Sequence, residues 1–196
     1  MMRLRIAFAA LPVVVGLAAG CSTPPPSRFY TLAATATSTS QQSTLVIAVG
    51  PVTVPSVVDR PEFVVSTGPN EVRLDDFNRW ASPLQDGLSR AIAENLVAIL
   101  GTPRVVRFPQ TLATEPDYRV AVEVRTFEST PGKSTALDAV WTVRRAKDGK
   151  TSTGRTSARE SVSESGYDAL AAAHSRAVAR LSEDIANATL ALHGAR

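Results

Sequence analysis

The single cysteine of this 196-residue chain is the residue whose type and position point most directly to chemistry. Cys21 follows a charged start with Arg3 and Arg5, an apolar run from Ile6 to Leu17, and the small residues Ala18-Ala19-Gly20. An apolar segment too short to cross a bilayer, followed by small residues, is typical of a secretory signal peptide. We therefore predict a signal peptide over residues 1–20, cleaved immediately before the thiol. A secretory signal with an incidental cysteine is the alternative.

The five residues that end at this thiol, Leu17-Ala18-Ala19-Gly20-Cys21, resemble the lipobox of bacterial lipoproteins. The resemblance implies that Cys21 carries three acyl chains, palmitate among them, and becomes the first residue of the mature protein. Stable residence at a membrane needs two lipid signals, so three chains would anchor the protein permanently. By resemblance to lipoprotein sorting, Ser22 favours the outer membrane. No other stretch approaches the roughly 18 apolar residues of a membrane helix.

The rest of the chain offers little for catalysis. His174 and His193 are its two histidines, so a general base that titrates near neutral pH is scarce. His174 falls on the apolar face of a predicted helix, which favours a structural role. With Cys21 acylated, no cluster of cysteine and histidine remains to bind a metal. We predict no enzymatic activity, no metal and no cofactor beyond the acyl chains.

Two other segments resemble known binding motifs in part. Gly132-Lys133-Ser134-Thr135 ends like a phosphate-binding loop, but Phe127 stands where that loop needs its first glycine. Because predicted strands flank the segment, we expect a hairpin turn. The carboxylates of Glu71, Asp75 and Asp76 lack the alternating oxygens and the glycine turn of a calcium loop. We expect these three to lie in a solvated loop.

The charge balance argues against nucleic acid as a partner. Removing residues 1–20 leaves 19 basic residues against 18 acidic ones. Binding to nucleic acid needs a basic patch or stripe, and none is present. Residues 21–43 combine three prolines with many small polar residues, which predicts a lipidated N-terminus and a flexible linker. Phe29 and Tyr30 interrupt this linker, and the alternative is that they dock as a strand on the domain or on a partner.

Residues 44–196 are long enough for one domain. Apolar alternation and turn residues predict strands over Leu45–Val54, Glu62–Thr67, Glu71–Leu74, Val105–Phe108, Tyr118–Phe127, Leu137–Val143 and Ser152–Val162. One helix is predicted after an N-cap at Ser82, with Pro83 first, Gln85 completing a capping box and Gly101 at the end. A second follows from Tyr167 to Leu192. The order βββαββββα predicts an α+β fold in which two helices cover one mostly antiparallel or mixed sheet.

Some loop residues have no evident role in this fold. Asp59 and Arg60 precede a proline, and Asn78, Arg79 and Trp80 precede the first helix. Tryptophan and arginine dominate interface hot spots, so we predict contacts with a partner or another subunit. Phe29 and Tyr30 join these candidate contact residues. For Trp80, a core position between the helix and the sheet is the alternative.

These residues carry a family resemblance. Arg28-Phe29-Tyr30-Thr31-Leu32, then Val49 to Pro55 with Asp59-Arg60-Pro61, then Asn78 to Leu84 resemble the PqiC family of ABC-type transport auxiliary lipoproteins. The resemblance implies an outer-membrane lipoprotein, on the periplasmic side, that works with MCE-domain proteins in lipid transport between membranes and supports envelope integrity. It implies docking or gating of the conduit as a homo-oligomeric ring. A stand-alone tethered protein that binds lipid or another ligand is the alternative.

Overall fold

The computed structural model describes residues 25–39, 42–108 and 115–195. The predicted signal peptide and the lipidation site Cys21 lie outside these ranges. The described chain forms eight strands and two helices, and each helix follows a run of four strands. They are β1 (Arg28–Tyr30), β2 (Ile47–Thr53), β3 (Glu62–Gly68), β4 (Glu71–Trp80), α1 (Leu84–Leu100), β5 (Val105–Arg107), β6 (Tyr118–Thr130), β7 (Ser134–Arg145), β8 (Thr151–Ser161) and α2 (Tyr167–Gly194).

The larger sheet has five strands in the order β5-β2-β6-β7-β8. β6, β7 and β8 form antiparallel hairpins, whereas β2 runs parallel to β5 and β6. The turn after β6 contains Gly132 and the turn after β7 contains Gly149, with φ angles of 66° and 72° that favour glycine. The first of these turns confirms the hairpin predicted at the segment Gly132-Lys133-Ser134-Thr135. β8 lies at the sheet edge, as its polar sequence suggests.

Both helices cover one face of this sheet. α1 packs on β2 and β5, α2 packs on β7 and β8, and the two helices contact each other. Their apolar stripes are completely buried, as at Leu88, Ile92 and Leu96 in α1 and at Leu181 and Ile185 in α2. Because these residues recur at the helical period, the sequence pattern alone identified the faces that pack.

The smaller sheet has three strands in the order β1-β4-β3. β3 and β4 form an antiparallel hairpin, and β1 adds in parallel to the end of β4. The predicted α+β class with two helices is therefore confirmed, whereas the prediction of a single sheet is corrected to two. The β3–β4 hairpin cannot extend β2, because β5 and β6 already bond to both sides of that strand.

Part of the predicted linker is docked on the domain. β1 pairs with β4, and Leu32 is buried in the core with 1% exposure. The backbone N–H groups of Thr35 and Ala36 both donate to Oδ1 of Asn95 on α1, at 3.0 Å. The folded unit therefore includes residues before the predicted boundary at residue 44. The sequence did not show this because the partner of the segment, Asn95, lies 59 and 60 residues away.

The start of α1 differs from the predicted capping box. Pro83 occupies the N-cap with an extended backbone, φ −46° and ψ 135°, and no side chain caps the helix. Gln85 reaches outward instead, and its amide donates to Asp59 at 3.2 Å. The predicted C-terminal stop is confirmed, since Gly101 adopts the left-handed conformation with φ 61°.

Candidate docking surface

The inner face of the smaller sheet is an aromatic cluster. Phe63 stacks on Trp80 with ring centroids 4.4 Å apart, and Tyr30 and Tyr167 meet Phe63 edge to face at 5.9 and 5.1 Å. Trp80 is 6% exposed. It therefore takes the alternative role, a core position between helix and sheet, and it no longer counts among the candidate contact residues. Tyr30 is half-buried, and its hydroxyl donates to Oδ1 of Asn78 at 2.8 Å.

A hydrogen-bonded carboxylate fixes the middle of β4. Oδ1 of Asp75 accepts the backbone N–H groups of Phe77 and Asn78, and Oδ2 accepts the hydroxyl of Tyr167 at 2.6 Å. Burial alone would raise the pKa of Asp75, but these hydrogen bonds lower it to about 2. The expectation of a solvated loop is therefore wrong for Asp75, which lies in a strand and joins β4 to α2. Glu71 and Asp76 are exposed, as expected, but they also lie in β4 and not in a loop.

The outer face of the same sheet is apolar; it is buried at Val64 on β3 and exposed on β1 and β4. Phe29 pairs with Arg79 and so points away from the side of Tyr30 and Trp80. On β4, Val72 and Leu74 alternate with Arg73 and Asp75, the residues that bond to Tyr167 on the inner side. Phe29, Val72 and Leu74 are 63%, 51% and 41% exposed. We call these three residues, with the neighbouring Phe77 at 39% exposure, the outer apolar face.

Sequence reasoning missed most of this surface. The prediction ended β4 at Leu74, whereas the strand continues to Trp80. The alternation of Val72 and Leu74 with charged residues is the signal that could have identified an exposed apolar edge. Of the predicted contact residues, Phe29 alone belongs to the outer apolar face.

The loop between β2 and β3 lies against the end of β4. The backbone N–H of Trp80 donates to the carbonyl of Pro61 at 2.8 Å, which brings Asp59 and Arg60 close to Arg79. Arg79 forms an ion pair with Glu62 at 3.6 Å. The structure therefore groups the predicted contact residues in one region, although they are far apart in sequence.

Arg60 has an unusual environment in this region. Its side chain is half-buried, and its Nε is shielded from solvent without a hydrogen-bond acceptor among the described residues. Its neighbour Asp59 is held by Gln85 and does not pair with it. The two terminal nitrogens of Arg60 are not among the buried atoms and make no hydrogen bond with the described residues, so they are suited to bind a carboxylate or phosphate from outside.

A serine–histidine pair lies inside the domain. The hydroxyl of Ser129 and Nε2 of His174 are 2.8 Å apart, and the two residues are 2% and 0% exposed. Nδ1 of His174 has no partner in the described part of the chain, so no third group orients the ring. Burial lowers the pKa of His174 to about 3, which keeps the imidazole neutral. This arrangement supports the predicted structural role of His174.

Two clefts that are open to solvent contain charged side chains. One, of about 660 Å³, is lined by groups that include Asp117, Arg145 and Lys147. A second, of 640 Å³, contains Glu160, which bonds to Arg176 and Arg180 at 3.1 and 2.8 Å. Across residues 25–39, 42–108 and 115–195 there is neither a group of side chains placed to hold a metal nor a helix able to span a membrane.

The protein is a small α+β domain, and its candidate contact groups, the outer apolar face and Arg60, lie at the surface. The same fold occurs in an uncharacterised protein of known structure, which is 21% identical with a TM-score of 0.68 over 83% of this chain and 98% of the other. A Xanthomonas campestris protein of the DUF330 family is 20% identical, with a TM-score of 0.67 over 84% and 95% of the two chains. A comparison with curated proteins finds no match.

A family comparison identifies the relationship more specifically. The family model described as the ABC-type transport auxiliary lipoprotein component matches residues 30–186. This chain therefore belongs to the ABC-type transport auxiliary lipoproteins, and the resemblance predicted from its motifs is confirmed. The matched range begins at Tyr30 in β1, in agreement with the docking of that strand on the domain.

Proposed function

We propose that this protein is a docking subunit of an MCE-type intermembrane lipid transport system, anchored in the outer membrane through acyl chains on Cys21. Family membership over residues 30–186 carries the proposal, because the family comprises auxiliary lipoproteins of transport systems. The lipobox and Ser22 support the anchor and its periplasmic side. In this role the protein docks or gates the outer end of the conduit, as a homo-oligomeric ring, and catalyses no reaction.

The shape of the domain favours docking over independent lipid carriage. A carrier needs a concave, mainly apolar pocket that encloses most of its ligand. The clefts of 660 and 640 Å³ among the described residues are open, and charged side chains take part in their lining. Neither cleft supports the alternative of a stand-alone lipid-binding lipoprotein.

We assign Arg60 to the contact with the partner protein, together with Asp59 beside it. The two terminal nitrogens of Arg60 can bond in bidentate fashion to a carboxylate. The loop that carries it is braced by Gln85 and by the bond from Trp80 to Pro61. Such bracing presents Arg60 in one conformation and reduces the entropy lost on binding.

Co-purification from detergent-solubilised membranes tests this function. We expect the lipidated wild-type protein to enrich an MCE-domain protein, and Arg60→Glu to reduce that enrichment on the order of tenfold or more, as charge reversal at an interface hot spot does. Arg107→Glu is the matched control, because Arg107 is also half-buried and makes no ion pair among the described residues but lies on β5 in the other sheet.

Each outcome has a separate meaning. If the wild-type protein enriches no MCE-domain protein, the proposed function is wrong. If Arg60→Glu and Arg107→Glu behave alike, Arg60 is not the contact. The mass of the purified complex in detergent tests the ring, since a single copy per complex contradicts it.

The anchor is tested independently of the partner. We expect metabolic palmitate labelling of the wild-type protein and no labelling of Cys21→Ser, which should also leave the membrane fraction. An unlabelled wild-type protein contradicts lipidation at Cys21.

A further inference from the structure

The exposed apolar side chains of this protein are unevenly distributed. Eight large apolar residues are exposed in the described part of the chain. Five of them belong to the smaller sheet or to the loop between β2 and β3. These five are Phe29, Val57, Val72, Leu74 and Phe77. The other three lie apart, one on each helix and one after β5. Single exposed apolar residues are ordinary, whereas a group on one face indicates a contact surface.

The strand pairing places Phe29, Val72 and Leu74 on the same face of the smaller sheet, opposite Tyr30, Phe63 and Trp80. On this face Val64 is buried and lines a small cleft with Val72 against Phe127 and Ser129 of β6, whereas Phe29 and Leu74 stay exposed. The face is held rigidly, because the hydrogen bonds of Asp75 fix β4 and the pairing of β1 fixes Phe29. A rigid apolar surface can bind without a large entropic cost.

The position of the tether indicates what covers this surface. β1 starts at Arg28, seven residues after Cys21. Seven residues span at most about 25 Å, so a chain anchored at Cys21 keeps β1 within that distance of the bilayer. Such a short tether gives the nearest surface of the domain a high effective concentration at the membrane. The outer apolar face contains the second residue of β1, Phe29, which makes it a surface that the tether holds close to lipid.

Its composition fits a lipid surface. Aromatic rings favour the boundary between headgroups and acyl chains, and Phe29 and Phe77 supply two of them. Asp76 on β4 would stay in water and limit the depth of insertion.

We propose that the outer apolar face rests on the lipid surface to which the chain is anchored, with Phe29 entering the headgroup region. This inference rests on the lipid anchor of the proposed function. The contact would fix the orientation of the domain on the membrane, so that α1 and α2 and the larger sheet face the periplasm.

Fluorescence quenching by brominated lipids tests the contact in the full lipidated protein. Phe29→Trp and Leu74→Trp place a reporter on the outer apolar face, and Val97→Trp places one on the exposed side of α1 as the matched control. The native Trp80 and Trp141 are buried and give all variants the same background. Each variant is reconstituted into vesicles of phosphatidylethanolamine and phosphatidylglycerol, with and without brominated acyl chains.

We expect brominated lipids to quench the added fluorescence of Phe29→Trp and Leu74→Trp at least about twofold more strongly than that of Val97→Trp, since the reporter must lie near the acyl chains. Equal quenching of all three overturns the proposal. Weak quenching of Phe29→Trp also overturns the proposal if its emission spectrum shifts as the number of protein molecules per vesicle rises. That result would indicate that a second copy of the chain covers this face. Flotation of the wild-type protein with the same vesicles reports the anchor separately, so loss of the anchor and loss of the face contact are distinguishable.

Discussion

Phe127 and His174 stack face to face inside the domain, with ring centroids 3.8 Å apart and planes within 10° of parallel. The stack joins β6 to α2, and Trp80 meets the imidazole edge to face at 6.4 Å. The hydroxyl of Ser129 satisfies Nε2 at 2.8 Å. A charged imidazole in this position would have no carboxylate among these neighbours, so the neutral ring is required for packing.

Acid is therefore expected to destabilise the fold through His174. Its pKa of about 3 in the folded protein lies below the ordinary value of 6.5, because burial disfavours the charged form. Between these values the unfolded chain binds a proton that the folded chain does not, so stability falls as pH falls. The expected loss is about 1.4 kcal/mol per pH unit below about pH 6. Urea unfolding at a series of pH values between about 5 and 7.5 measures it.

The variant His174→Gln should remove that pH dependence in the same range, whatever its stability at neutral pH. His193→Gln should retain it, because His193 lies at the end of α2 and near Tyr118. An unchanged slope in His174→Gln would show that another group causes the acid sensitivity.

The local pattern of the sequence predicted the parts of the fold that depend on periodicity. The position of His174 on an apolar helix face follows from helical spacing alone, and the residue is buried as expected. Leu88, Ile92 and Leu96 recur at the same spacing in α1 and are also buried. The docking of β1 depends on β4, where Tyr30 pairs with Trp80, and the docking of the residues after it depends on Asn95; no local pattern reveals these distant partners. Because strand pairing between distant segments also forms the outer apolar face, the sequence identified only Phe29 among its residues.

Loss of the Asn95 side chain should release the N-terminal segment. Asn95 is completely buried, and its Oδ1 accepts the N–H groups of both Thr35 and Ala36. Asn95→Ala removes the acceptor of both N–H groups; because Thr35 is exposed and Ala36 half-buried, the expected loss is about 0.5 to 1.5 kcal/mol. We expect amide hydrogen exchange at both residues to accelerate on the order of tenfold or more. Val97→Ala, a more exposed change on the same helix, should leave these rates unchanged, and equal rates in the two variants would contradict the docking role of Asn95.

Removal of the Tyr167 hydroxyl should weaken the connection between β4 and α2. Burial raises the pKa of Tyr167 to about 12, aided by its hydrogen bond to Asp75, whose own pKa is lowered to about 2. Tyr167→Phe removes one donor, so the pKa of Asp75 should rise toward 3.8. Because a depressed carboxyl pKa stabilises the fold above the unfolded value, the variant should lose about 1 kcal/mol at neutral pH.

Carboxyl NMR titration of Asp75 measures this shift directly. Tyr118→Phe is the control, because Tyr118 lies near His193 and not near Asp75. An unaltered titration of Asp75 in Tyr167→Phe would mean that its backbone donors, Phe77 and Asn78, suffice to hold the carboxylate.

A methyl group at Gly154 should disrupt the packing of α2 on the larger sheet. Gly154 lies opposite Trp141, and a Cβ there would approach three indole atoms at 2.3, 2.6 and 2.8 Å. The indole cannot move without straining its hydrogen bond to Thr156, which is 3.0 Å long. Gly154→Ala should therefore destabilise the protein by about 1 to 3 kcal/mol in urea unfolding, as overpacking does. Gly194→Ala, where a Cβ meets nothing within 4 Å, is the matched control. Equal midpoints for the two variants would show that the indole has room to shift.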